Sequence, residues 1–150
     1  LTSNAGTDLV MQACNESEEL PTVAYLNDLL KPELNRVFKP AFLGRTAVVP
    51  YYPLRDENMR KIVRLKLNKI GKRIKANHGA AFEYDEAVVD AIAQRCTEVD
   101  SGARNIDNIL TRTVLPEVSG HVLERMAAGG GINAIRIGAG EDGNFTYAVD

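Results

Sequence analysis

The sequence predicts an α/β protein in which helices pack on a small β-sheet. Three observations predict it. Apolar residues recur at helical spacing from Met59 to Ile74, through Ile62, Val63, Leu67 and Ile70. A second helical stripe runs Ile106, Ile109, Leu110, Val114, Val118, Val122 and stops at Gly129-Gly130-Gly131. Two β-type runs follow, Ala134-Ile135-Arg136-Ile137 and Phe145-Thr146-Tyr147-Ala148-Val149, joined by a loop that ends in Asp142-Gly143-Asn144. They read as a hairpin.

The totals limit the function classes. The chain has 150 residues, 45% hydrophobic and 25% charged, which is ordinary for a globular domain. A net charge of −2 exerts no general pull towards nucleic acid or an anionic membrane. Cys14 and Cys96 lie far apart with no CxxC spacing, so they suggest neither a disulfide framework nor a metal site. No apolar run approaches the ~20 residues of a membrane span, so no membrane insertion is expected. The first residue is Leu, and Leu1-Thr2-Ser3-Asn4 reads as the end of a buried strand. Both features suggest a piece cut from a longer chain.

In order, Asn4 at a strand end suits the placing of a water or a phosphate; its other reading is a turn residue beside Gly6. Thr7 or Asp8 suits the cap of a short helix through Asn15. Glu16 to Glu19 is a polar connector, and Pro21-Thr22 opens a helix with Val23, Leu26, Leu29 and Leu30 on one face. Pro32 should break or restart it, and Leu34 and Val37 continue the face. Phe38-Lys39-Pro40-Ala41-Phe42-Leu43-Gly44-Arg45 reads as a stiff, apolar-anchored loop, with Gly44 allowing an unusual backbone angle. Such a loop suits the outward projection of Arg45 as an arginine finger, or its use as a helix cap.

Residues 46–50 read as a short strand, and Arg55-Asp56-Glu57 starts a helix to about Ala76. The outer face of that helix is basic: Arg60, Lys61, Arg64, Lys66, Lys69, Lys72, Arg73 and Lys75. It has no interleaved aromatics for base stacking, so a solvated or subunit-facing helix is favoured over nucleic acid. Asn77-His78-Gly79 should end it in a left-handed cap. Residues 81–84 suit a strand, and Asp85 suits the cap of a helix to about Glu98 with Val88, Val89, Ile92 and Ala93 inward.

Asp100-Ser101-Gly102-Ala103-Arg104-Asn105-Ile106-Asp107 leads from a loop into the second striped helix, which Pro116 should kink. Free N–H groups at a helix start, with a guanidinium beside them, suit a nucleotide phosphate. The other reading pairs Arg104 with Asp107 on its own helix. Glu83 interrupts the apolar run before Tyr84-Asp85-Glu86, so that tripeptide is not taken for a phosphate-site strand end. No GxxxxGK[ST] loop is present, and His78 and His121 have no ligand companions at useful spacing. A complete enzyme is therefore not expected from these residues alone.

Thr2-Ser3-Asn4, Phe42-Leu43-Gly44-Arg45 and Gly102-Ala103-Arg104, in that order, resemble the C-terminal part of the second module of Clp-family AAA+ ATPases. The resemblance covers nearly the whole chain. It implies a tail of the large αβ subdomain over residues 1–50 and the small C-terminal lid over 51–150. It assigns Asn4 to sensor 1, near the attacking water, and Arg45 to the arginine finger, although the family usually has Asn where Gly44 stands. It assigns Arg104 to sensor 2, on phosphate in cis; Ala103 and Ile62, by their position on faces near Arg104, are expected beside the adenine. The implied cofactor is ATP or ADP with Mg in the parent, with none required by the fragment alone. The implied partners are neighbouring subunits of a homohexamer in the bacterial cytoplasm. Asn105-Ile106-Asp107, in place of the usual start of that helix, and Tyr51-Tyr52-Pro53-Leu54 resemble the branch that disassembles contracted type VI secretion sheaths, with sheath proteins met through other parts of the parent. A general disaggregase, an inactive oligomerisation or interaction module, and a nucleic-acid-binding lid are the alternatives. Residues 1–20 are expected to be poorly ordered or repacked when the fragment is isolated.

Overall fold

The computed structural model describes residues 1–16, 19–97, 103–140 and 143–150. The Ser17-Glu18 part of the polar connector, Glu98, Asp100 to Gly102 and Asp142 lie outside the described residues. The chain forms two compact units, Leu1–Pro53 and Leu54–Asp150.

In the first unit, helix α1 (Thr7–Asn15) packs on α2 (Val23–Val37), followed by the single turn α3 (Pro40–Leu43). Its core is Val10, Ala13, Cys14, Leu26 and Leu30, with Leu29, Leu34 and Tyr52 against it. The Tyr52 hydroxyl donates to the Pro21 carbonyl at 2.6 Å, tying the end of this unit to the start of α2. Neither Thr7 nor Asp8 caps α1. Gly6 holds the cap position at φ 76°, and the Thr7 hydroxyl turns back to the Asn4 carbonyl at 2.8 Å. A Cβ at Gly6 would also collide with the Leu30 side chain, so both backbone angle and space require glycine there. Thr22 caps α2, its hydroxyl accepting the Tyr25 N–H at 3.2 Å.

Three expectations for this unit fail. Pro32 does not break α2: the helix runs through it, and Pro32 and Asp28 are both exposed, so water can serve the carbonyl that loses its donor. Val23 and Val37 leave the apolar face, at 50% and 55% exposure. Residues 1–4 and 46–50 form no strand. Apolar β-type residues make a strand only where a second strand takes their backbone groups, and the described residues of this unit provide none.

The second unit is built on α4 (Asp56–His78), which ends at Gly79 with φ 70° as the Asn-His-Gly signal requires. Met59, Val63, Leu67 and Ile70 are buried; Ile62 and Ile74 are partly buried beside them. Strand β1 (Ala81–Tyr84) and helix α5 (Glu86–Thr97) follow. Val88, Val89, Ile92 and Ala93 face the core as their spacing predicts. Helix α6 (Arg104–Ile109) passes through a π turn (Leu110–Val114) into α7 (Leu115–Ala127). The Leu115 N–H reaches back five residues to the Leu110 carbonyl. Pro116, next in line, has no N–H to continue a regular ladder, and the wider turn lies immediately before it. The expected distortion is thus a π turn preceding the proline. At the far end Gly129 takes φ 75°, and the Gly130 N–H bonds the Arg125 carbonyl at 3.0 Å.

Strands β2 (Ala134–Ala139) and β3 (Phe145–Val149) form the expected hairpin, with Gly143 at φ 76° in its turn. β1 pairs in parallel with β2, Phe82 opposite Ile135 and Tyr84 opposite Ile137, giving the sheet order β1-β2-β3. Ile135 and Ile137 are buried under the helices, while Arg136 on the open face bonds Glu83 across to β1 at 2.8 Å.

Candidate functional site

Each unit carries its own share of the candidate site residues that the sequence singles out. Asn4 and Arg45 belong to the first, Ile62, Ala103 and Arg104 to the second.

Asn4 is exposed and uses its backbone to start α1: its carbonyl accepts the Thr7 N–H at 3.2 Å as well as the Thr7 hydroxyl. Its side-chain amide has no hydrogen-bond partner among the described residues. It lines an apolar groove of about 490 Å³ whose walls include Phe38, Phe42 and Leu43.

Arg45 follows the turn α3. Phe38 and Phe42 stack with ring centroids 5.6 Å apart, and the Thr46 hydroxyl donates to the Phe42 carbonyl at 2.8 Å. These contacts fix the backbone on both sides of Arg45. The apolar anchoring is looser than the sequence suggests, since Phe42 remains 41% exposed. Gly44 does not take the unusual angle expected of it. It sits at φ −64°, ψ −13°, an ordinary right-handed helical conformation. A Cβ there would lie 3.4 Å from the Pro40 carbonyl oxygen, an ordinary contact. The backbone therefore accepts Asn at position 44 without rearrangement. Gly44→Ala is expected to raise stability by about 0.4–1 kcal/mol through the unfolded chain, and thermal denaturation of that variant checks it. Arg45 itself is exposed and forms no ion pair among the described residues.

Arg104 begins α6 and is exposed. Its expected competitor, Asp107, points elsewhere: the Asp107 carboxylate takes Lys66 of α4 at 2.7 Å. No described residue pairs with Arg104. Gly102, the first residue of the tripeptide, lies outside the described residues. Ala103 precedes Arg104 in a right-handed turn, and both Ala103 and Ile62 lie partly buried against the main core of this unit.

The basic outer face of α4 divides in two. Towards its N-terminus, Arg60 meets Asp90 at 2.6 Å, Lys61 meets Glu57 at 2.6 Å and Arg64 meets Glu86 at 2.5 Å. The hydrogen bond from Arg64 holds the Glu86 carboxyl below its usual range. Glu86 thus belongs to the first turn of α5 and to this ion pair, as the dismissal of Tyr84-Asp85-Glu86 as a phosphate site requires. Lys69, Lys72, Arg73 and Lys75 have no carboxylate partner among the described residues. Sequence spacing shows only the Glu57–Lys61 pair within α4; the other partners, Glu86, Asp90 and Asp107, come from α5 and α6. His121 lies 3.7 Å from Glu124, with its ring 5.9 Å from Tyr147.

A unit with this order of helices and strands, closing on a hairpin, is a small α/β lid. Residues 54–135 match the family model described as the C-terminal, D2-small domain, of ClpB protein. That match covers more than half of the chain, and the chain belongs to this family. Among curated relatives it is 44% identical over 98% of its length to the AAA+ ATPase ClpV1 of Pseudomonas aeruginosa, covering 16% of that protein. It is 36% identical over 82% of its length to the chaperone protein ClpB of Yersinia enterocolitica, covering 14% of it. The chain thus spans about a sixth or less of the length of these relatives.

Proposed function

We propose that this chain is the nucleotide-responsive end of a ring-forming, ATP-driven protein-remodelling machine. In this reading Arg104 holds the phosphates of ATP or ADP bound with Mg in its own subunit. Arg45 reaches the γ-phosphate held by a neighbouring subunit of a homohexamer, and Asn4 places the attacking water. Ala103 and Ile62 flank the base. The phosphate loop lies outside these residues, in other parts of the protein.

The observation that carries the reading is that Arg104 stands exposed at a helix start while Asp107, three residues on, is engaged by Lys66. An arginine kept for surface pairing would take Asp107; one kept for an anion would leave it to another cation. The family membership and the relatives' names, an AAA+ ATPase and a chaperone, agree with it. The higher identity to ClpV1, over nearly the whole chain, favours disassembly of contracted type VI sheaths over general disaggregation as the parent's task.

The test is nucleotide binding by a full-length Clp-type chain carrying this sequence, with its first ATPase module silenced. Arg104→Ala is expected to weaken ATP more than tenfold, an effect of the size of a lost charge-assisted phosphate contact. Asp107→Asn, which removes the Lys66 partner only, should leave binding close to wild type. Equal affinity of Arg104→Ala and wild type would refute the assignment.

A further inference from the structure

β1 is an edge strand: it pairs with β2 on one side, and no described residue pairs with its other side. The Ala81 and Asp85 N–H groups point inward, bonding the Asn133 and Ile137 carbonyls at 2.8 and 3.3 Å. Backbone groups alternate along a strand, so the N–H and C=O of Phe82 and Tyr84 point to the open edge. Beside that edge runs a groove of about 590 Å³ between β1 and the second half of α4. Its floor is apolar. Phe82 packs against Gly71, where a Cβ would come within 3.0 Å of the ring, and Leu65 is 69% exposed above it. Its wall carries Lys69, Lys72 and Lys75, the lysines left without carboxylate partners when the first half of α4 spends its cations on α5 and α6.

Edges are commonly guarded by charge on the strand itself. Here the strand's own outward charge, Glu83, is neutralised by Arg136. The lysines stand on the helix, one to two turns apart, over the place a fourth strand would occupy. The side chains of an added strand that face α4, every second one, would meet the three cations together with apolar Leu65 and Phe82, which line the same groove. We infer that the β1 edge and the Lys69–Lys72–Lys75 wall form a docking groove for an extended acidic polypeptide segment, captured as a fourth strand of the sheet. The backbone edge supplies affinity and the lysines select the partner's charge. The groove lies apart from Arg104 and needs no nucleotide.

The test uses the 150-residue chain and a capped peptide of four Glu-Val repeats. The peptide is expected to bind and to slow hydrogen exchange at the Phe82 and Tyr84 amides. Joint Lys69→Glu, Lys72→Glu and Lys75→Glu substitution should weaken it at least about tenfold, as reversed complementarity does, and should admit the Lys-Val peptide instead. N-methylation of alternate peptide amides keeps the charge but removes edge donors; it should cost about two- to tenfold per bond lost. Binding indifferent to N-methylation would overturn strand capture, and equal binding of the Lys-Val peptide by wild type would overturn charge selection. Protection of Phe82 and Tyr84 that rises with protein concentration alone would assign the edge to a second copy and overturn the proposal.

Discussion

Arg45→Ala in a full-length ring carrying this sequence is expected to lower ATP turnover by about 10³-fold or more while leaving ring assembly intact. The size follows from the proposed role. A finger guanidinium meets charge that develops on the transferring phosphoryl group, so its loss is felt in the transition state far more than in the ground state. Nucleotide affinity should therefore change little, and the defect should appear in turnover. The local structure makes the variant clean. Arg45 is exposed and no described residue depends on its side chain, while the turn before it is held by the Phe38–Phe42 stack and the Thr46 hydroxyl. Gel filtration with nucleotide checks the rings, and steady-state phosphate release checks the rate. Wild-type turnover in intact rings would make Arg45 a surface arginine.

Leu67→Ala is expected to cost the second unit about 2–5 kcal/mol, a large part of the 5–15 kcal/mol typical of a domain. Leu67 has no exposed surface and sits mid-helix in the cluster that joins α4, α5, the α6–α7 helix and the sheet. Its truncation would leave a void bounded by several elements, none free to collapse alone. Leu65, two residues earlier on the same helix, is 69% exposed, and Leu65→Ala should stay within about 0.5 kcal/mol of wild type. Urea unfolding of both variants measures the contrast. A similar midpoint for the two would mean that the core is not organised around α4.

The second unit was largely legible in the sequence because each of its signals is local and mutually consistent. The stripe from Met59 to Ile74, the left-handed glycines at 79 and 129 and the hairpin after Ala134 each follow from side-chain period or from a residue's own backbone freedom. What escaped is what depends on remote partners. The parallel pairing of β1 with β2 joins segments some fifty residues apart, and the engagement of Asp107 by Lys66 joins two helices. The π turn before Pro116 is a compromise among backbone bonds that no side-chain pattern reports.

The first unit was read less well for the same reason. Leu1 to Asn4 and residues 46–50 have strand composition, yet a strand needs a neighbour, and the described residues around them are helical. At Gly44 the residue type suggested a special angle that the chain does not adopt. The candidate roles of Asn4, Arg45 and Arg104 came from the family resemblance and not from local pattern alone. The release of Arg104 from Asp107, which pairs with Lys66 on another helix, was not legible in the sequence, and the proposed role rests on it.

The proposed function divides the work across a subunit boundary, with Arg104 acting on its own subunit's nucleotide and Arg45 on the neighbour's. It is tested most directly by mixing two inactive full-length variants, Arg45→Ala and Arg104→Ala, under conditions in which rings exchange subunits. An Arg45→Ala subunit still offers Arg104 to its own nucleotide, and an adjacent Arg104→Ala subunit still offers Arg45. Mixed rings should therefore regain ATP turnover in proportion to the frequency of that adjacency. Mixtures as inactive as the separate variants would mean that both arginines serve one subunit's site, and would rule out the division between subunits.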